Sequence, residues 1–95
     1  MASENLVFRI HAIQRMFQRR ISMENVRHVL MTGEVIEAYP DDTPYPSRLV
    51  LGWCGPRPLH VVAADNATAS ETIVISAYEP DPVKWDSSFR RRIRP

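Results

Sequence analysis

"RLVLGWCGPRPLHVVAAD", residues 48–65, is two apolar runs parted by a Gly-Pro pair. Each run, 48–54 and 57–65, has the length and the aliphatic content of a buried strand. Gly55 and Pro56 leave room only for a tight connection, so the two runs predict neighbouring antiparallel strands. Downstream, "NATASE" (66–71) reads as another turn and "TIVISAYE" (72–79) as a third strand, closed by Pro80 and Pro82. Upstream, "EVIEAY" (34–39) reads as a strand. It is set apart by "PDDTPYPS" (40–47), whose three prolines and two aspartates make a turn or an irregular loop. The outcome is an antiparallel sheet of about four strands.

The residues before the sheet change period. "HAIQRMFQRRIS" (11–22) lies within a first helix expected from near Phe8 to about Arg20, with Ala12, Ile13, Met16 and Phe17 on its apolar side. Ser22 is placed to cap a second helix, with Glu24 near its positive end. Met23, Val26, Val29 and Leu30 give that helix its apolar face, and Gly33 ends it. The predicted class is α+β, two N-terminal helices packed on the sheet, as one domain over 1–95. Its core spans 8–85, and 86–95 form a basic tail. Alternation puts Leu49, Leu51 and Trp53 opposite Arg48, Val50 and Gly52, with Trp53 expected in the core. It likewise opposes Leu59, Val61 and Ala63 to His60, Val62 and Ala64, and Ile73, Ile75, Ala77 and Glu79 to Thr72, Val74, Ser76 and Tyr78.

Ninety-five residues allow one modest core, and 44% apolar with 24% charged residues is ordinary for a globular chain. No apolar run approaches the roughly 20 residues needed to span a bilayer. The start, "MASENLVFRIHA", lacks the features of a secretory signal. The lone Cys54 forms no internal disulfide. A cytoplasmic protein is expected. The net charge of +1 conceals a segregation: residues 1–33 carry +3, residues 34–80 carry −5 and residues 81–95 carry +3. A uniformly basic chain would point strongly to nucleic acid; this pattern points to it only weakly and also admits an acidic protein partner.

Several chemistries are excluded by the residues. Gly33, Gly52 and Gly55 are too far apart for a phosphate loop, no Cys/His cluster has zinc spacing, and no serine sits in a nucleophile elbow. Asp41 and Asp42 are adjacent, which points their side chains apart. No metal and no cofactor is expected. His11, Arg15 and Arg19 recur at intervals of four and should form one stripe. An imidazole can move a proton at a ribose 2′-hydroxyl, and a guanidinium one turn on can neutralise a phosphate, which is what metal-free RNA cleavage requires. By spacing alone the same stripe also fits a solvated face. His60 reads as a satisfied core or sheet-face histidine, and Trp85 as an apolar cap. Arg48 opens a strand where it could bind phosphate, and Glu79 ends one, where it could orient His11 or pair with an arginine. Arg19, Arg20 and the tail residues Arg90, Arg91, Arg92 and Arg94 could attract a nucleic-acid backbone.

"HAIQRMFQRRIS", "GEVIEAYPDDTPYPSRLVLG", "RPLHVV" and "YEPDPVKW", in this order, resemble the bacterial domain-of-unknown-function family 4258 from about Ile10 to Trp85. That family is similar to the RelE-like ribonuclease toxins, and the resemblance implies helices packed on an antiparallel sheet. It further implies a metal-independent endoribonuclease, the toxin of a toxin–antitoxin pair, with RNA as substrate and an antitoxin protein as partner. Carried over by position, the catalytic candidates are His11, Arg15, Arg48 and Glu79. His11 would be general base or acid, Arg15 and Arg48 phosphate ligands, and Glu79 an orienting carboxylate. The alternative is a non-catalytic interaction domain whose basic helix binds an acidic protein partner.

Overall fold

The computed structural model describes residues 5–93. In chain order the elements are β1 (Leu6–Phe8), α1 (Ile10–Gln18), α2 (Met23–Thr32), β2 (Glu34–Tyr39), β3 (Ser47–Cys54), β4 (Arg57–Asn66) and β5 (Glu71–Tyr78). The class is α+β, as the residues predict, but the sheet has five strands in the order β1-β5-β4-β3-β2 and is mixed. The addition is β1, which pairs parallel with β5 through Leu6–Thr72, Val7–Ile73 and Phe8–Val74. It also shortens the first helix, which begins at Ile10 rather than Phe8.

Local chemistry sets the helix ends. The Asn25 N–H donates to Ser22 Oγ at 3.0 Å and the Ser22 N–H donates to Asn25 Oδ1 at 2.9 Å, a reciprocal cap that starts α2. At the end of α1 the Ile21 N–H donates to the Met16 carbonyl at 2.9 Å and the Arg20 N–H to the Phe17 carbonyl at 3.3 Å. With Arg20 at φ 58° this is a Schellman closure with an arginine where glycine is usual.

Both helices lie on one face of the sheet, α1 along β5 and α2 across β3 and β4. Ala12, Met16, Ile21, Val26 and Val29 close there on Val50, Leu59, Val61, Val74 and Ala77. Gly52 lets the helix approach, since a Cβ at that position would stand 2.9 Å from the Val29 methyls. Strict alternation would not put Val74 and Ala77 together. A bulge in the β4–β5 ladder does so, because Val62 pairs with Ser76 and Ala63 with Val74, leaving Ile75 over. A second bulge, at Ile36, sets Glu34 opposite Leu51 and Glu37 opposite Leu49.

The far face of the sheet carries Leu49, Leu51, His60 and Ala64, all buried. Part of their cover is residues 84–93, which fold back as a small hairpin. The Ile93 N–H donates to the Lys84 carbonyl at 2.8 Å and the Asp86 N–H to the Arg91 carbonyl at 2.9 Å, around a Trp85–Arg92 bridge. Asp86 organises its turn by accepting from the Ser88 and Arg90 N–H groups, which holds its carboxyl below the usual range, the Ser88 hydroxyl bond contributing most. Trp85 is buried, as expected of a cap. Trp53 is not a core residue: it is 44% exposed and meets Phe89 edge-on, ring centroids 6.0 Å apart.

Candidate functional site

The His11–Arg15–Arg19 stripe divides into two parts. His11 stands in the first turn of α1 and Arg15 one turn later. Both are exposed, and among the described residues neither side chain has a hydrogen-bond or ion-pair partner. Arg19 is half-buried and donates from Nη1 to the Ala77 carbonyl at 2.9 Å, so it is engaged in docking α1 on β5. Arg20 is exposed at the αL turn.

Arg48 and Glu79 belong to separate ion pairs. The Arg48 guanidinium pairs with Asp65, which also accepts from the Thr72 hydroxyl at 3.1 Å. Glu79 accepts from Arg57 Nε at 2.9 Å. The same guanidinium donates to the Arg20 carbonyl at 2.7 Å and the Arg19 carbonyl at 2.6 Å. Arg57 thus ties the end of α1 to the sheet and holds Glu79 beside it. Arg57 and Asp65 are eight residues apart on β4, which sets their backbones about 26 Å apart and puts the two pairs towards opposite ends of the strand. Eight residues of helix, about 12 Å of axis, likewise lie between His11 and the Arg19 carbonyl that Arg57 holds. The fold keeps His11 with Arg15 and places Arg48 and Glu79 at opposite ends of the sheet. Glu79 thus stands away from both His11 and Arg48. Of the two expectations for it, orienting His11 or pairing with an arginine, the contact present is the pairing with an arginine. The partner, Arg57, was not singled out from sequence, although its place directly after the Gly55–Pro56 turn aligns it with the end of β5.

Two of the tail arginines are occupied as well. Arg90 Nη2 lies 2.8 Å from Glu34, and Arg90 Nε donates to the same carboxylate at 3.0 Å, a hydrogen bond that holds the Glu34 carboxyl below the usual range. Arg92 lies 3.9 Å from Glu37 and 4.7 Å above the Trp85 ring. Arg91 is exposed. Arg94 falls outside the described residues.

His60 is fully buried beneath the hairpin. Its Nε2 is 2.9 Å from the Phe89 carbonyl, which can only accept, so Nε2 bears the proton. Nδ1 faces the Tyr78 hydroxyl at 3.3 Å and serves as acceptor. Burial pushes the His60 pKa down and the Tyr78 pKa up. A neutral imidazole with both nitrogens occupied matches the satisfied core or sheet-face histidine expected from sequence.

A cleft of about 610 Å³ lies elsewhere, lined by Tyr39, Asp41, Asp42, Ser47 and Val62 among others, and contains none of the candidate residues. The Asp42 carboxylate accepts there from the Ser47 hydroxyl at 2.6 Å and the Thr43 N–H at 3.0 Å. Its acidic lining disfavours a polyanion. Among the described residues no three His, Cys, Asp or Glu side chains are grouped so as to hold a metal ion.

The other surface of α1 departs from expectation. Ala12 and Met16 are buried, but Ile13 is 39% exposed and Phe17 is 85% exposed. With Ile10, 72% exposed, they form an apolar stripe at i, i+3 and i+7 on the outside of the helix.

Residues 8–79 match a protein-family model described as Domain of unknown function (DUF4258). No curated protein and no solved structure matches. Among the described residues no helix is long and apolar enough to cross a membrane.

Proposed function

This chain belongs to the DUF4258 family, and from that premise we propose that it is a RelE-like, metal-independent endoribonuclease. In this reading it is the toxin of a cytoplasmic toxin–antitoxin pair. The observation that carries the proposal is the pair His11 and Arg15, one helical turn apart, exposed and free of side-chain partners among the described residues. Two helices against one face of a sheet are the part of the implied architecture that supports the reading, although the sheet is mixed rather than antiparallel.

The catalytic set narrows from four residues to two. His11 takes the proton from a ribose 2′-hydroxyl, the 2′-oxygen attacks the adjacent phosphorus, the 5′-oxygen leaves with a proton from water, and the hydroxide so formed takes the proton back from His11. The products are a 2′,3′-cyclic phosphate and a 5′-hydroxyl. Arg15 lies against the phosphate and stabilises the charge that grows on its oxygens. Arg48 and Glu79 act in folding, not in chemistry. Arg20 and Arg91 supply sequence-independent attraction to the RNA backbone.

The test is purified protein incubated with mixed cellular RNA in EDTA, beside a folded His11→Ala control. Cleavage by the wild type alone is the expected result. Equal cleavage by both proteins removes His11 from the mechanism, and no cleavage by either removes the ribonuclease reading for free RNA.

A further inference from the structure

Ile10, Ile13 and Phe17 are a second, independent feature of α1. Single exposed apolar residues are common on protein surfaces and call for no explanation. Here three large ones share one face within two helical turns, and the most exposed is a phenylalanine at 85%. The helix that carries them is rigidly mounted. Ala12 and Met16 are buried beneath it, Arg19 bonds to β5, and Arg57 holds its last carbonyls. A preformed apolar ridge is suited to binding because little ordering remains to be done.

The charges around the ridge select the occupant. Arg9, Arg15, Arg19 and Arg20 lie between Asn5 and Met23, and that span holds no acid. Arg9 precedes the ridge and Arg20 follows it, both exposed. A second copy docked ridge to ridge would bring two all-basic helices together, and that like-charge juxtaposition opposes self-association. A partner helix with leucine-like residues on one face and carboxylates along its borders would satisfy both the apolar surface and the arginines.

We propose that the Ile10–Ile13–Phe17 face of α1 docks an acidic amphipathic helix of a partner protein. The ridge fills the partner's apolar seam, and Arg9 and Arg20 meet its carboxylates at the two ends. The inference does not rest on the ribonuclease reading, which uses His11 and Arg15 on another side of the helix.

The probe is a fluorescein-labelled synthetic peptide of about 18 residues, long enough to form helix on binding. Its leucines follow an i, i+3, i+4, i+7 pattern and glutamates fill the other positions; a companion has lysines in place of the glutamates. Fluorescence anisotropy with the full chain is expected to give a Kd of roughly 10 µM for the glutamate peptide and at least about tenfold weaker binding for the lysine peptide. Phe17→Ser should weaken the glutamate peptide about tenfold or more, while Phe17→Leu should not. Phe17 is too exposed for either change to disturb the core. Amide chemical-shift changes on binding should cluster at residues 9–20.

No binding, equal binding of the two peptides, binding unaffected by Phe17→Ser, or shifts centred elsewhere would each overturn the proposal. So would sedimentation showing a wild-type dimer that Phe17→Ser dissociates, which would assign the ridge to a second copy. RNA cleavage by Phe17→Ser should equal that of the wild type. Failure here is thereby separated from failure of the ribonuclease reading.

Discussion

The His60 imidazole stands edge-on to the Trp85 indole, ring centroids 4.4 Å apart and planes at 88°. One residue belongs to the middle of the sheet and the other to the hairpin that follows it, so this contact pins the chain's end over the far face. Trp85 also carries the Arg92 guanidinium on its ring. Removing the indole would uncover His60 and detach the support of Arg92. Trp85→Ala is expected to lower unfolding free energy by about 3 kcal/mol, and Trp53→Ala by much less because that ring is already half in solvent. Urea denaturation checks both; similar losses for the two would contradict the assignment of Trp85 as the anchor.

His60 gives the fold a pH dependence of definite sign. Burial is the main cause that lowers its pKa below the ordinary 6.5; the Phe89 carbonyl and Glu37 oppose that shift and Arg92 adds to it. The unfolded chain therefore binds this proton more readily than the folded one. The neutral histidine's contribution is complete above the unfolded pKa and is lost as pH falls through it towards the folded pKa. Lowering the pH from about 7.5 to about 5 should reduce thermal stability, and the reduction should be smaller in His60→Gln, which cannot titrate. An identical pH profile in the variant would assign the acid sensitivity to other groups.

The parts of this fold that were legible in sequence are those governed by local rules. The Gly55–Pro56 turn, the Ser22 cap and the apolar runs of β3 and β4 each declare themselves within a few neighbours. β1 does not, because three residues show no period and its partner β5 lies at the other end of the chain. The bulge at Ile75 was illegible for a related reason. Alternation describes one strand, whereas a bulge is a property of two in register, and it alone brings Val74 and Ala77 to the same face. The site shows the same limit. Spacing put His11, Arg15 and Arg19 in line, but the removal of Arg19 to the Ala77 carbonyl depends on where β5 lies. The separation of Arg48 from Glu79 depends on the β4 register. Four-residue periodicity also assigned Ile13 and Phe17 to the apolar side without showing that the sheet reaches only Ala12 and Met16.

Arg20 occupies the left-handed position of a Schellman closure, with φ 58°. A side chain there is disfavoured relative to glycine, and Arg20 makes no side-chain hydrogen bond or ion pair with a described residue to offset it. Its carbonyl, which accepts from Arg57, is retained by any substitution. Arg20→Gly is expected to raise stability by roughly 0.5 to 1 kcal/mol, less a few tenths for the freer unfolded chain. A lower midpoint in urea would show that the arginine stem contributes packing.

Arg57 should matter to the fold more than either acid or base in an ordinary surface pair. Its fork reaches Glu79 and two carbonyls at the end of α1, and losing it leaves the Arg19 and Arg20 carbonyls without that donor. Arg57→Ala is expected to cost about 1 to 2 kcal/mol, allowing for its partial exposure, and Glu79→Gln well under 1 kcal/mol. Native-state hydrogen exchange should locate the Arg57→Ala effect at the last turn of α1. Uniformly faster exchange across the sheet would speak against a tie at that point.

The two-residue catalytic set makes a sharper claim than any single substitution tests. His11 and Arg15 are exposed and unengaged, so His11→Ala and Arg15→Ala should leave melting behaviour close to wild type while lowering RNA cleavage by about 100-fold or more. Arg48→Ala and Glu79→Gln break separate ion pairs towards opposite ends of β4, and cleavage per folded molecule should stay near wild type in both. Arg48→Ala should show a measurable stability loss, and Glu79→Gln one well under about 1 kcal/mol. Measuring cleavage and unfolding on all four proteins separates the alternatives. If Arg48→Ala or Glu79→Gln lost cleavage at unchanged stability, chemistry would be taking place at an end of the sheet, and α1 would be left with its apolar ridge as its working surface.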